Sequence, residues 1–241
     1  YNPYTGTWTT ADPLALSVPP DYYIQRVLTP QRFNRCAYAE NNPVNLSDLS
    51  GLVVIGYSGF GISQEGSSSL GVVQIRSQLQ KMAPDFIPVF DYRAVGSGIQ
   101  FIKNQLKYDP QQPIVIYGHS FGGSSAIDTA KSLGGCGIES SLVVTIDPIR
   151  IGLPTTAQDI SPVYIPKFIL EASNFYQRED TASLGALGKG GLQGYTLKGP
   201  GKISNILIKG LGPKAHTRID NDYEVQRAVL QEITRARNSV K

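Results

Sequence analysis

The hydrophobic pattern divides the chain into two textures. Through residues 1–51 the apolar positions follow no period, and Asn-Pro, Asp-Pro, Pro-Pro and Thr-Pro pairs punctuate them. Such pairs mark turns and loops. This stretch predicts an irregular segment, with short extended pieces at Thr5–Thr10 and Arg35–Tyr38 and no core of its own. From Leu52 the pattern changes to alternating strand and helix signals. Leu52–Ile55 reads as a short apolar strand leading into a Gly-rich turn. Leu70, Val73, Leu79 and Met82 have the spacing of one helix face. Phe86–Tyr92 reads as a strand, with Pro88 arguing against a central position. Ile99, Ile102 and Leu106 are helical in spacing, Ile114–Tyr117 is a strand, Ser124–Leu133 a helix and Leu142–Ile146 a strand. Phe168–Leu170 predicts one more strand. Residues 183–213 are Gly-rich and weakly patterned, which predicts a long loop or short hairpin. From Tyr223 a closing helix carries Val225, Val229 and Ile233, with Asn221 or Asp222 as its cap. Alternation of this kind, with apolar strands, argues an α/β fold: a mostly parallel sheet covered by helices on both faces.

Composition narrows the classes. The 241 residues carry 22 basic and 19 acidic side chains, a net charge of +3, with no clustered basic face of the kind nucleic-acid binding needs. No apolar run has membrane-spanning length. Cys36 and Cys136 are the only cysteines, so a disulfide scaffold is excluded; one bond between them is the alternative to the two buried free thiols that are expected. No Cys/His spacing suits a structural zinc. The chain opens on Tyr1 and its one methionine is Met82. It is therefore expected to be a piece of something longer, and no charged-then-apolar signal segment opens it.

Gly118-His119-Ser120-Phe121-Gly122 fits Gly-x-Ser-x-Gly. The strand Ile114–Tyr117 runs straight into it and a helix leaves it. A sharp strand-to-helix turn of this kind lifts a serine hydroxyl clear of the sheet, and the following helix N-terminus favours negative charge beside it. Ser120 is thus the candidate nucleophile, and its hydroxyl needs a base. Of the two histidines, His119 neighbours Ser120 and should point away from it. That leaves His216, on a loop before the last helix. The orienting carboxylate is expected at the end of a strand, which favours Asp147. Asp220 and Asp222 lie closer to His216 in sequence, with capping of the last helix as their simpler role, and Asp180 is a further rival. One oxyanion donor should be the Phe121 N–H, and the other should come from the turn Gly56-Tyr57-Ser58-Gly59-Phe60. The chemistry calls for no metal or organic cofactor.

On these residues, 52–241 resembles the α/β-hydrolase superfamily, with Gly118–Gly123 similar to its lipase and esterase elbow and the partners in the order Ser, Asp, His. The resemblance implies a serine hydrolase acting through an acyl-enzyme, and favours Tyr57, then Ser58, as the second oxyanion donor. The first segment resembles another family. Tyr1-Asn2-Pro3-Tyr4-Thr5-Gly6-Thr7-Trp8, Ala11-Asp12-Pro13-Leu14, Gln31–Tyr38 and Asn41–Gly51 look like the end of the core in Rhs/YD-repeat proteins. There this segment closes a repeat shell and a toxin domain follows. Leu49 stands where that family has proline, so little self-cleavage is expected near Leu52. Cys36 stands where it usually has tyrosine.

Together these resemblances imply a lipase- or phospholipase-type effector domain of 52–241 behind an Rhs-core segment of 1–51. They imply delivery into a target cell by a bacterial secretion system, a cognate immunity protein, contact with an Rhs shell and peripheral membrane contact. Hydrolysis of a soluble ester or peptide is the alternative, and a catalytically silent binding module is a third reading. Within 183–213, Leu184, Leu187, Leu192, Tyr195, Leu197, Ile203, Ile206, Leu207 and Ile208 are expected to line an acyl pocket. Lys189, Lys198, Lys202 and Lys209 are expected to meet anionic head groups, the alternative being a solvated hairpin with an ordinary apolar underside.

Overall fold

The computed structural model describes residues 52–60, 71–82, 87–107, 110–150, 161–182 and 191–238. The sheet lies within one compact unit, Leu52–Leu79 with Phe86–Lys241. The extended pieces, Cys36 and the Rhs-like motifs expected in 1–51 lie outside the described residues.

In order, the elements are β1 (Val53–Ser58), α1 (Gly71–Met82), β2 (Val89–Asp91), α2 (Val95–Leu106), β3 (Ile114–His119), α3 (Phe121–Gly134) and β4 (Ser140–Ile146). Then follow β5 (Val163–Tyr164), β6 (Ile169–Tyr176), β7 (Leu197–Lys198), β8 (Lys202–Leu207) and α4 (Ala215–Arg218). A 3-10 turn (Ile219–Asn221) and α5 (Tyr223–Asn238) close the chain. Six strands form one sheet in the order β2-β1-β3-β4-β6-β8, and every pairing in it is parallel. This is the parallel α/β sheet that the alternating pattern predicts. Every residue of β1 and of β3 is buried, as strands covered on both faces require.

Two tyrosines on neighbouring strands show the two layers. Gly56 of β1 is paired with Tyr117 of β3, so Tyr57 and Tyr117 leave opposite faces of the sheet. The Tyr57 hydroxyl meets Thr129 of α3 at 2.7 Å, whereas that of Tyr117 donates to the Val72 carbonyl of α1. On the Tyr57 face, Val53, Ile55, Ile114 and Ile116 pack with Ile102 of α2 and with Ala126, Ile127, Ala130 and Leu133 of α3. On the other face α1 is tied to α5, where the Gln226 side chain bonds those of both Gln74 and Gln78.

Several expectations shift. The buried face of α1 is Gly71, Val72, Ile75 and Leu79. Val73 is only half-buried and Met82 exposed, so the spacing predicted the helix but not its inward side; Leu70 lies outside the described residues. The β2 strand is shorter than predicted and sits at the sheet edge, where Pro88 is tolerated before it. The strand expected at Phe168–Leu170 continues to Tyr176. Its polar residues hid it, yet they satisfy one another across the sheet. Thr145 of β4 donates to Asn174 of β6, whose amide donates to Asn205 of β8, at 2.8 and 3.0 Å. The loop or hairpin expected in 183–213 is loop at 191–196 and 208–213, but between these lie two strands that form no hairpin. β8 extends the main sheet in parallel, and β7 pairs in parallel with β5. A hairpin needs antiparallel neighbours. Cys136 is a free thiol and exposed, not buried as expected. Asp222 caps α5, accepting the Val225 N–H at 3.0 Å. Among the described residues no helix is long and apolar enough to cross a membrane.

Candidate active site

The strands β3 and β4 are paired with His119 opposite Ile146, so Ser120 and Asp147 leave the sheet side by side. Each makes a forced turn. They are the only non-glycine residues with positive φ among those described, 59° at Ser120 and 42° at Asp147. Such backbone is held only where its surroundings over-determine it. At Ser120 the surroundings are hydrogen bonds and close steric fit. Its N–H donates to the Ile146 carbonyl at 2.9 Å, and its carbonyl accepts from Gly123 and Ile149 at 3.0 and 3.2 Å. A Cβ on Gly118 would collide with the Gly122 carbonyl oxygen, and one on Gly122 with the Tyr57 carbonyl oxygen. Only glycine lets these backbones approach so closely.

His216 lies on α4 and is 3% exposed; Ser120 is 5% exposed and Asp147 fully buried. The His216 Nε2 is 2.9 Å from Ser120 Oγ, and its Nδ1 is 2.7 Å from Asp147 Oδ2. The structure thus brings together the three residues singled out in the sequence. A carboxylate only accepts, so Nδ1 carries the ring hydrogen and Nε2 is free to accept from the serine hydroxyl.

The rival carboxylates serve elsewhere. Asp222 is the α5 cap. Asp180 accepts the His216 N–H at 2.8 Å and the Leu192 N–H at 3.1 Å. Asp220 accepts the Gly71 N–H at the start of α1, at 3.1 Å, and lies 3.5 Å from His119 Nδ1. His119 points at the His216 backbone, with Nε2 2.9 Å from its carbonyl oxygen.

Sequence reasoning missed Gln177. Its Nε2 donates at 2.7 Å both to Asp147 Oδ2 and to the Leu192 carbonyl, while its Oε1 accepts from Glu179 and Asp180 N–H at 2.7 and 2.8 Å. A closed circuit results: Asp147 to Gln177, Gln177 to Asp180, Asp180 to His216, His216 to Asp147. The Gly194 N–H completes the Asp147 shell, donating to Oδ1 at 2.7 Å. A glutamine in a loop carries no spacing signal that could have found it.

The turn after β1 lies over Ser120 at Gly59, where a Cβ would come 2.9 Å from the Ser120 Cβ. Tyr57 sends its ring into the core, where burial raises its pKa to about 12 despite the bond from Thr129. Ser58 donates its hydroxyl to the Phe90 carbonyl at 3.2 Å. The carbonyls of Tyr57 and Ser58 face Gly122. Phe121 heads α3, where the first N–H groups have no acceptor within the helix. Its ring stacks on Tyr92 at 5.3 Å and meets Phe60 edge-on at 6.4 Å. Phe121 also packs with Ile149 and Leu192. Of the residues expected to line an acyl pocket, only Leu192 is in this cluster. Tyr195 and Leu197 belong to the main core, Ile203, Ile206 and Leu207 lie on the edge strand β8, and Leu184 and Leu187 lie outside the described residues. Among the described residues no group of three or more His, Cys, Asp or Glu is placed to hold a metal ion.

No protein-family model matches the sequence, and neither does any curated protein. Solved structures do resemble it. YbtT, the type II thioesterase of the yersiniabactin NRPS/PKS pathway, is 13% identical, with 81% of this chain and 96% of that one covered and a TM-score of 0.46. Human thioesterase 2 is 12% identical over 78% and 96% of the two chains, with a TM-score of 0.42. A cutinase-like protein from Cryptococcus sp. is 13% identical over 82% and 96%, with a TM-score of 0.40. All three scores lie below 0.5, and the sheet order and the strand–serine–helix turn define the site without them.

Proposed function

We propose that residues 52–241 form a serine hydrolase that cleaves acyl esters through an acyl-enzyme, of lipase or phospholipase type. The observation that carries this reading is the unbroken line Ser120 Oγ–His216–Asp147 on a positive-φ elbow. In the proposed reaction His216 Nε2 takes the Ser120 proton as Oγ attacks the ester carbonyl carbon. Asp147 stabilises the imidazolium that forms. The carbonyl oxygen, now negative, is met by the Phe121 N–H and by the turn that Gly59 brings over Ser120. The C–O bond then breaks, and His216 returns its proton to the departing alcohol. Water, deprotonated by His216, releases the acid and restores Ser120.

The apolar cluster of Phe60, Tyr92, Phe121, Ile149 and Leu192 supports an apolar acyl group. Phe60 is 62% exposed, so the cluster reaches solvent next to the nucleophile. The Rhs-like motifs of residues 1–51 support the role of an effector delivered by a secretion system and held in check by an immunity protein. The direct test compares short esters, long-chain esters and phospholipid vesicles with wild type and Ser120→Ala, alongside labelling by a serine-reactive phosphonate. Turnover of long-chain substrates that vanishes in the variant is expected, with label on Ser120 alone. Near-normal turnover in Ser120→Ala would sink the reading. Activity on short soluble esters only would leave a hydrolase but remove the lipase assignment.

A further inference from the structure

The chemistry above leaves His119 unused, although it is buried against the site. Its Nε2 lies 2.9 Å from the His216 carbonyl oxygen, and its ring centre 5.0 Å from that of His216. A carbonyl oxygen can only accept, so the ring hydrogen of His119 sits on Nε2. His216 is the reverse case, with its hydrogen on Nδ1 facing Asp147. Two neighbouring imidazoles therefore hold opposite tautomers. The remaining nitrogen of His119, Nδ1, is buried with no hydrogen-bond partner, yet Asp220 Oδ2 stands 3.5 Å away. In the neutral ring this nitrogen turns a lone pair toward a carboxylate. Only a second proton would join the two.

Burial resists that proton and sets the net downward shift of the His119 pKa. Asp220 favours the proton, the neighbouring His216 opposes it and Asp147 favours it again. Among the described residues these three are the titratable groups whose charge acts on the ring. The His216 backbone is meanwhile gripped from two sides, its N–H by Asp180 and its carbonyl by His119. No other side chain hydrogen-bonds that carbonyl among the described contacts.

We propose that His119 is a positioning residue for His216: in its neutral form the Nε2–H anchors the His216 carbonyl and so sets the reach of that ring to Ser120, and a second proton on Nδ1, beside Asp220, opposes the charge His216 takes up in the reaction. The proposal rests on the serine-hydrolase reading. It makes a buried neighbour of the triad a second site of acid inactivation. His216 must become cationic for Ser120 to attack, and a cationic ring 5.0 Å away works against that.

The test uses the full chain. It has two histidines, so ring nitrogen-15 NMR reports each one. At pH 7.5 His119 is expected as the Nε2–H tautomer and His216 as the Nδ1–H tautomer. Kinetics on a short soluble ester then compare wild type, His119→Gln, His119→Ala and Asp220→Asn. A glutamine amide can reproduce the Nε2–H donor and does not titrate. His119→Gln should keep kcat near wild type and shed one protonation from the acid limb of the pH profile. His119→Ala should lose roughly tenfold in kcat with KM unchanged, the worth of one hydrogen bond. Asp220→Asn should move the second protonation to lower pH. An Nδ1–H tautomer at His119, equal kcat losses in the Gln and Ala variants, or an unchanged acid limb in His119→Gln would each overturn the proposal. Should His119→Ala not fold, the tautomers and the Gln profile still decide it. Absence of ester turnover by the wild type would sink the serine-hydrolase reading instead, and the tautomer measurement is independent of turnover.

Discussion

The two halves of the candidate site are built by different means. The nucleophile half is steric. Ser120 is forced to φ 59° between a buried strand and a helix, and glycines let the backbones of β1 and α3 close around it. The histidine half is polar. His216 sits on a four-residue helix and owes its place to side chains at positions 119, 147 and 180, with Gln177 linking two of them. A steric half depends on what is absent from a side chain, whereas a polar half depends on every donor finding its acceptor. The first should fail by loss of folding and the second by loss of geometry with the fold intact.

Gly122→Ala should break the steric half most severely. The new Cβ would collide with backbone oxygen of Tyr57, which cannot rotate away. A loss of about 3–5 kcal/mol of stability is expected by denaturant unfolding, with activity falling in step with the folded fraction. Gln177→Glu addresses the polar half. It sets a carboxylate against Asp147 Oδ2, where the amide now donates at 2.7 Å. Stability should fall by about 1–3 kcal/mol, but kcat should fall by roughly a hundredfold in the molecules that remain folded. If Gln177→Glu merely unfolded the chain, the distinction between the halves would collapse.

A smaller effect is the pH dependence of stability. The His119 pKa is lowered in the fold, chiefly by burial. Below about 6.5, the ordinary histidine value, the unfolded chain binds more protons there than the native chain does. Its contribution to stability is therefore present above that pH and is lost as pH falls toward the lowered folded value. His119→Gln should flatten that part of a thermal melt series run from pH 7.5 to 5. Lys202→Ala is the smallest. Its bond to Glu171 is 3.5 Å long on an exposed strand, and its loss should shift stability by less than about 0.5 kcal/mol and leave kcat unchanged.

The same contrast explains what the sequence reveals. A steric turn needs glycines at fixed offsets, so Gly118-His119-Ser120-Phe121-Gly122 is legible as it stands. The central strands are legible because both their faces are apolar. His216 follows by elimination between two histidines, and Asp147 from its place after a strand. Gln177 and Asp180 are not legible, because a hydrogen-bond circuit closed by folding leaves no period in the chain. The sequence pattern stops short of the full β6 strand for a related reason. Asn174 reads as a strand breaker until Thr145 and Asn205 are brought beside it. The inward face of α1 is hidden as well, since Gly71 turns inward to meet the Asp220 backbone, a contact no hydrophobic count foresees.

The span between the serine and the histidine also has a meaning in time. The two are 96 positions apart, and a ribosome adds about 5–20 residues each second. The turn bearing Ser120 therefore leaves synthesis roughly 5–20 s before the proposed base exists. The last parallel strand and the closing helix are still to come, and parallel pairing across long stretches of chain is slow. A cell making this chain would hold the Ser120 turn for that interval before the proposed base, His216, could reach it. Under the proposed chemistry, the nascent chain stays inactive until the segment carrying His216 has folded beside Ser120.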